Sequence, residues 1–326
     1  MVNIKKSLSR RDFIRRSLAG AALLASAPAM KSSSAQQKVP LLRLGGPILE
    51  KYENPDAWVA ALKKLGYSAA YCPVGAGEKD DVVAAYASAA DKANIVIAEV
   101  GAWSNPISPD EKTRKAALAK CREQLALADR IGSRCCVNIS GSRSEQWDGP
   151  HPDNLTEGTF EMIVETTRSI IDDVKPTRTY FTLETMPWAY PDSADSYLRL
   201  IKAIDRNRFG VHLDPVNLVC SPQRYFGNGE LIRECFKKLG PYIKSCHAKD
   251  ILLHPRLTTH LDEVRPELGG LNYAAFLQEL KRMPDTPLML EHLPNPEEYR
   301  LAAEHIRSVA RETGFELWPE LSASKP

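Results

Sequence analysis

The stretch FGVHLDPVN, residues 209–217, decides how the rest of the chain is interpreted. It begins as an apolar β-strand and ends in side chains that commonly bind metals or substrates. Since side chains alternate along a strand, His212 and Asp214 share one face, and Pro215 ends the strand directly after the aspartate. A carboxylate at the end of an apolar strand indicates a functional site at that end.

Three further apolar runs in the second half of the chain end in the same way. They are residues 180–185 with Glu184, residues 243–250 with His247, and residues 288–293 with Glu291. Together with Asp214, these residues follow one another at intervals of 30, 33 and 44 residues. Each interval accommodates a strand, a helix and two loops, which is the size of a βα unit.

The remainder of the chain continues this alternation, with eight apolar runs and eight helical segments in all, and a long loop at 251–270 is predicted before the seventh helix. We therefore predict an α/β fold, a single (β/α)8 TIM barrel over residues 36–326 that forms the catalytic domain. The alternative for a chain of 326 residues is two domains. Asn54 and Gly66 are typical of the start and end of the first helix, and Ser108 is predicted to open a capping box for the third.

Residues 1–35 have the composition of a targeting segment. Basic residues precede an apolar run at 18–27, and the hexapeptide SRRDFI at 9–14 resembles a twin-arginine export signal. Small residues place cleavage after about Ala29 or Ala35. The alternative is an N-terminal membrane anchor, which the run disfavours because a span needs ~20 apolar residues. We expect a periplasmic or secreted protein that uses the twin-arginine export machinery.

Charge and cysteine content exclude several other classes. The formal net charge of +2 includes the basic leader, so no nucleic-acid partner is expected. The seven cysteines are odd in number and form no CxxC pair, which predicts no obligatory disulfide framework. The oligomeric state is left open.

In a barrel, the four ligand-type residues Glu184, Asp214, His247 and Glu291 would lie at the carboxyl ends of successive strands. Each one alone has an ordinary structural explanation, but all four at strand ends favour a shared site. Three carboxylates and one imidazole form a hard donor set that suits Mn²⁺ or Mg²⁺, with Zn²⁺ or Co²⁺ as further possibilities. Without a cation the carboxylates would repel one another.

Four short motifs carry a family resemblance: LET at 183–185, HLD at 212–214, HAKD at 247–250 and LE at 290–291. They resemble the sugar phosphate isomerase/epimerase group of the xylose-isomerase-like barrels, which includes ketose 3-epimerases, hydroxypyruvate isomerase and inosose dehydratase. The resemblance implies that the same four residues, Glu184, Asp214, His247 and Glu291, hold one divalent metal ion. It also implies that Glu184 and Glu291 are the catalytic acid and base at the C–H beside a sugar carbonyl.

Two positions depart from the ketose epimerases. Asn217 stands where those enzymes usually have a histidine, and Tyr190 stands where they have a glutamate. The leading hypothesis is an exported metal-dependent sugar isomerase or epimerase. The alternatives are a 3-keto-glycoside lyase or sugar dehydratase on the same metal site, and a sugar-binding barrel without turnover. A phosphodiesterase of the endonuclease IV type is disfavoured, because its metal site needs more histidines at strand ends than the seven in this chain supply.

Further candidates surround the predicted metal site. Aromatic rings after strands three to five could stack on a sugar or simply pack in the core, and polar side chains could bind its hydroxyl groups. The predicted substrate-binding residues are Asn217, Lys249, Trp103, Trp147, Trp188 and His151. His212 is predicted to support Asp214 from one layer below. Glu99 could reach the pocket from strand three or form a structural ion pair.

Overall fold

The computed structural model describes residues 39–318 and contains a closed barrel of eight parallel strands. The barrel strands are β1 Leu44–Gly46, β2 Ala69–Tyr71, β3 Val96–Gly101, β4 Cys135–Asn138, β5 Phe181–Glu184, β6 Phe209–Leu213, β7 Ile243–Ala248 and β10 Leu288–Leu290. Around the barrel they follow the order β1-β10-β7-β6-β5-β4-β3-β2. The predicted (β/α)8 barrel is confirmed.

Helices alternate with these strands and form the outer layer. They are α1 Pro55–Leu65, α2 Asp80–Lys92, α3 Glu111–Ile131, α4 Glu157–Val174, α5 Ala194–Ile204, α6 Pro222–Phe226, α7 Asn228–Leu239, α8 Tyr273–Leu280 and α9 Pro296–Thr313. The core lies between the barrel and the helices, where Leu62 of α1, Leu125 of α3 and Ile306 of α9 are fully buried. No helix among the described residues is long and apolar enough to cross a membrane.

The helix ends follow from local hydrogen bonding. The Asn54 side chain caps α1 by accepting a hydrogen bond from the Ala57 N–H at 2.9 Å, and Gly66 ends the helix with a φ of 67°. The predicted capping box at Ser108 is wrong. Asp110 is the N-cap of α3 and accepts from the Thr113 N–H at 2.7 Å, because the Ser108 hydroxyl is already used by the Asp110 N–H at 3.2 Å.

The predicted loop at 251–270 contains a β-hairpin instead. Strands β8 (Asp250–His254) and β9 (His260–Val264) pair in antiparallel register, from Asp250 opposite Val264 to His254 opposite His260. Many of these residues are polar or partly exposed, so their sequence lacks the apolar alternation that marks a half-buried strand. The predicted leader, with its cleavage sites after Ala29 or Ala35, lies outside the described residues.

Candidate metal centre

Four adjacent strands bring the four predicted ligands to the carboxyl end of the barrel. Glu184 is the last residue of β5, Asp214 and Glu291 directly follow β6 and β10, and His247 lies near the end of β7. Each offers one ligand atom, and these atoms all lie within 4.8 Å of one another. The parallel register of β5, β6, β7 and β10 is what turns four distant sequence positions into one cluster.

The geometry of this cluster suits a small divalent cation. Nδ1 of His247 lies 2.9 Å from Oε1 of Glu184 and 2.8 Å from Oε1 of Glu291, and 4.0 Å from Oδ2 of Asp214. The Asp214 Oδ2 and Glu291 Oε1 atoms are buried and accept no hydrogen bond. Since buried carboxylate oxygens that accept no hydrogen bond are costly, a divalent cation bound among them would add to the ion pairs that they form.

Lys249 places its ammonium group in the same cluster. It lies two residues after His247 along the chain, and its Nζ is 2.9 Å from Asp214 Oδ2 and 2.5 Å from Glu291 Oε1. The side chain is only 3% exposed. These contacts are ion pairs without hydrogen-bond geometry, and they offset part of the carboxylate charge.

The charges in the cluster shift one another's pKa values. Burial raises the pKa of Asp214, and although Lys249 opposes this effect, the pKa reaches about 6. Burial acts in the same direction on Glu184 and Glu291, but His247 and Lys249 together outweigh it and leave the pKa of both glutamates lowered. Burial lowers the pKa of His247, whereas the surrounding glutamates raise it well above the ordinary value. The cluster is thus held together by opposite charges in a buried space.

Hydrogen bonds fix the orientation of two ligands. The Thr185 hydroxyl accepts from the Asp214 N–H at 3.0 Å and donates to the Asp214 carbonyl at 2.7 Å. Asn217 donates from Nδ2 to Glu184 Oε1 at 3.3 Å and to the Thr185 carbonyl at 3.0 Å. In this structure Asn217 therefore holds a ligand glutamate, and its contact with substrate stays a prediction.

His212 supports the cluster by a route different from the one expected. It was predicted to support Asp214 directly. Instead, Nε2 of His212 lies 2.9 Å from Oε1 of Glu99. The other oxygen of Glu99 lies 3.3 Å from Nε2 of His247. His212 lies one layer below the ligands, so it faces β3 across the barrel interior. Glu99, which the sequence left open, reaches the site through His247.

The predicted aromatic and loop residues are distributed around the site. The Trp103 ring lies 6.3 Å from the His247 ring. Trp188 is 40% exposed and donates from Nε1 to the Asp148 carbonyl at 2.7 Å. Trp147 is similarly exposed at 39%, and His151 accepts from the Asp153 N–H at 3.2 Å. Trp103 thus lies beside the cluster, and the substrate roles of all four residues stay predictions.

Two residues near the site were missed from the sequence. Glu263 of β9 places Oε2 3.6 Å from the Lys249 ammonium. His292 places Nδ1 3.1 Å from Oε1 of Glu263 and Nε2 3.6 Å from Oε2 of Glu291. Glu263 reaches the site because β8 and β9 form a hairpin. Since the sequence analysis predicted a loop at 251–270, it gave no reason to place Glu263 near the metal centre.

Comparison with known proteins places the fold in a family. Residues 59–309 match the family described as Xylose isomerase-like TIM barrel. No curated protein matches the chain. The match spans well over half of the sequence and covers every barrel strand except β1.

Solved structures of low identity share this barrel. A xylose isomerase-like TIM barrel protein from Mycobacterium smegmatis in complex with magnesium is 16% identical, with a TM-score of 0.58 over 85% of this chain and 97% of that one. D-psicose 3-epimerase with D-tagatose from Clostridium cellulolyticum H10 is 14% identical, with a TM-score of 0.59 over 85% of this chain and 100% of that one.

A third neighbour, 3-keto-D-glucoside 4-epimerase from E. coli, is 13% identical, with a TM-score of 0.57 over 82% of this chain and 99% of that one. The neighbours also include a probable dehydratase and an endonuclease IV. At these identities the likeness establishes the fold, and the spread of reactions means that the barrel alone does not select one.

Proposed function

The chain belongs to the xylose isomerase-like TIM barrel family, and from that premise we propose that it is a divalent-metal-dependent sugar isomerase or epimerase. The observation that carries this proposal is the convergence of Glu184, Asp214, His247 and Glu291 within 4.8 Å, with two buried carboxylate oxygens that accept no hydrogen bond. The same four residues would hold Mn²⁺ or Mg²⁺, with Zn²⁺ or Co²⁺ as alternatives. When bound, the metal supplies a Lewis acid that polarises the sugar carbonyl and makes the neighbouring C–H more acidic.

The two glutamates are placed for proton transfer at that carbon. Glu184 and Glu291 come from β5 and β10, which are separated in the barrel by β6 and β7. They therefore approach the centre from different sides. In the proposed reaction the carboxylate of one takes the proton from carbon, and the carboxyl group of the other returns a proton on the opposite face.

Surrounding side chains would bind and orient the carbohydrate. The ammonium of Lys249 lies against Glu291 and Asp214, and we propose that it donates a hydrogen bond to a substrate oxygen there. We assign sugar stacking to Trp103, Trp147 and Trp188, and hydroxyl contacts to Asn217 and His151.

A lyase or dehydratase is the second candidate, and the hydrogen bonds of two residues favour it. Asn217 is engaged with Glu184 and Thr185, and the Tyr190 hydroxyl donates to the Leu155 carbonyl at 3.1 Å. These are the two positions at which the sequence departs from the ketose epimerases, and both side chains are tied to the protein. On a 3-keto-glycoside the same base would remove the C2 proton, and the aglycone would leave with its bonding electrons.

One experiment separates these functions. The purified protein, loaded in turn with Mn²⁺, Mg²⁺, Zn²⁺ or Co²⁺, is incubated in D₂O with free ketoses and with an aryl 3-keto-glucoside, and NMR follows each sugar. Deuterium exchange with a new epimer or isomer supports the leading proposal. Aglycone release from the 3-keto-glucoside supports the lyase. Bound sugar with neither exchange nor cleavage leaves a sugar-binding barrel and refutes both enzymes.

We also propose that the leader directs twin-arginine export to the periplasm or the medium. The pair Arg10 and Arg11 precedes an apolar run at 18–27. Replacing both arginines by lysine should leave the full-length protein in the cytoplasm. Cell fractionation with an antibody against the barrel measures this, and unchanged export of the double variant refutes the proposal.

A further inference from the structure

Glu99 is a fully buried carboxylate that lies outside the four predicted ligands. It belongs to β3, which stands opposite β7 across the barrel, and it is 1% exposed. Its Oε1 lies 2.9 Å from Nε2 of His212 and accepts a short hydrogen bond from the Ser245 hydroxyl. Its Oε2 lies 3.3 Å from Nε2 of His247. A carboxylate so deeply buried is stabilised only if its neighbours donate hydrogen bonds to it.

The two ring nitrogens of His247 face different carboxylates. Nδ1 faces the carboxylates of Glu184 and Glu291 at 2.9 and 2.8 Å, whereas Nε2 faces Glu99. A neutral imidazole carries its hydrogen on one nitrogen and a lone pair on the other. Because Nε2 faces the Glu99 carboxylate at 3.3 Å, a neutral His247 in the metal-loaded site would carry its hydrogen on Nε2 and direct the lone pair of Nδ1 into the ligand cluster.

The interior face of β7 is therefore organised in three layers. Ser245 bonds Glu99 from below, His247 joins Glu99 to the ligand cluster, and Lys249 reaches Asp214 and Glu291 above it. Ser245 and His247 are two residues apart on β7 and therefore share its inward face, and Lys249, directly after the strand, continues this spacing. His212 adds a second imidazole whose ring lies 4.1 Å from that of His247.

We propose that Glu99 is a positioning residue that fixes the tautomer and the ring orientation of His247, so that Nδ1 is presented to the divalent metal. Ser245 and His212 hold the Glu99 carboxylate in place. A carboxylate partner of this kind raises the basicity of a ligating histidine, and its loss typically weakens metal binding by roughly 10- to 100-fold. The inference rests on the metal site of the proposed function and extends it to three residues below the ligands.

Metal binding without substrate is the first test. Isothermal titration of the full chain with Mn²⁺ should give one ion per chain, and Glu99→Gln should weaken the affinity by roughly 10- to 100-fold. Glu279→Gln is the matched control, because Glu279 is also a buried glutamate, 8% exposed, but lies on α8 and pairs with Arg282. Its Mn²⁺ affinity should equal that of the original chain.

The tautomer is the second test, and it is independent of catalysis. In protein labelled with ¹⁵N-histidine and loaded with Zn²⁺, long-range ¹H–¹⁵N spectra should place the His247 hydrogen on Nε2. In Glu99→Gln this signal should shift or broaden. A purely structural role for Glu99 would lower stability without altering the tautomer, so the spectrum separates the two explanations.

A less disruptive variant tests the same inference in case Glu99→Gln does not fold. Ser245→Ala removes one hydrogen bond to Glu99 with little change in volume and should weaken Mn²⁺ binding by about 2- to 10-fold. Unchanged affinity and tautomer in both variants, or a His247 hydrogen on Nδ1, would overturn the inference while leaving the metal site intact. Two ions per chain would overturn it in favour of a second ion between Glu99, His212 and His247. A chain that binds no divalent metal refutes this inference together with the proposed function.

Discussion

The two halves of the barrel circumference contribute differently to its carboxyl end. Strands β10, β7, β6 and β5 form a ligand arc, in which every strand delivers one member of the candidate metal-binding cluster. Strands β1, β2, β3 and β4 form a support arc. Its interior includes Ala69 and Ala98, which pack against Met289, and it places the Glu99 carboxylate against His247. Under the proposed function, one arc supplies the chemistry and the opposite arc fixes the orientation of its side chains.

The largest predicted effect comes from the ligand arc. Glu184→Gln and Glu291→Gln keep the shape of each side chain but remove its proton-accepting charge. Deuterium exchange at the sugar carbon should fall by roughly 10²- to 10⁴-fold. NMR of the exchanging sugar in D₂O measures the rate.

The matched control for these variants is Glu50→Gln beside the support arc. Glu50 follows β1 and forms an exposed ion pair with Lys64 at 2.9 Å, so its exchange rate should equal that of the original chain. If Glu184→Gln and Glu291→Gln retain full activity, the ligand arc does not carry the chemistry, and the contrast between the arcs fails.

A second predicted effect concerns the charge balance of the ligand arc. Lys249→Met removes the ammonium that lies 2.9 Å from Asp214 and 2.5 Å from Glu291. The free energy of unfolding in EDTA should fall by about 3–5 kcal/mol, because buried carboxylates lose their cationic partner. Added Mn²⁺ should restore most of this loss, since a divalent cation replaces the missing charge.

Urea unfolding with EDTA and with Mn²⁺ measures both quantities. Lys64→Met, which removes an exposed lysine, is the control and should change little in either condition. Equal losses in EDTA and in Mn²⁺ would mean that Lys249 acts through packing rather than through charge.

A third prediction tests whether helix packing outside the barrel strands affects stability separately from metal binding. Leu62 of α1 is fully buried, and Leu62→Ala should lower the free energy of unfolding by about 2–5 kcal/mol. Its Mn²⁺ affinity, measured by titration below the unfolding transition, should stay unchanged, because the four predicted ligands belong to or directly follow β5, β6, β7 and β10. A weakened affinity would show that packing under β1 and β2 positions the ligands as well.

The sequence predicted the ligand arc better than the support arc for a physical reason. Glu184, Asp214, His247 and Glu291 each follow an apolar run, so local alternation and the βα interval suffice to place them at one end. Glu99 and His247 lie on strands at opposite sides of the barrel. Their contact depends on how the strands pair when the sheet closes into a barrel, and no local sequence pattern predicts that pairing.

The same limit explains the misassigned hairpin and the altered role of His212. The alternation in FGVHLDPVN correctly places His212 on the face of Asp214, but the partner across the interior is Glu99. The hairpin is defined by pairing between Asp250–His254 and His260–Val264. Its partly exposed strands have no apolar face in sequence, and Glu263 was overlooked with them.

The smallest predicted effect lies at the root of that hairpin. The Asp250 carboxylate accepts hydrogen bonds from the backbone N–H groups of Ile251, Glu267, Gly269 and Leu271, at 2.8 to 3.2 Å. Asp250→Asn replaces one accepting oxygen with an N–H donor, which should cost about 1–3 kcal/mol. Asp250 begins β8 and holds the segment that follows β9. The change should therefore make the hairpin, which places Glu263 near the site, more mobile.

Hydrogen exchange measured by mass spectrometry should show faster exchange across residues 251–271 in Asp250→Asn and unchanged exchange in β5 and β6. Asp262→Asn is the control, since Asp262 is an exposed residue of the same hairpin that pairs with His254 at 2.9 Å. The Mn²⁺ affinity of Asp250→Asn should change little, because all four ligands belong to the barrel strands or directly follow them. A large loss of affinity would mean that the hairpin helps to hold the ligand arc, and the boundary between the two arcs would then have to include β8 and β9.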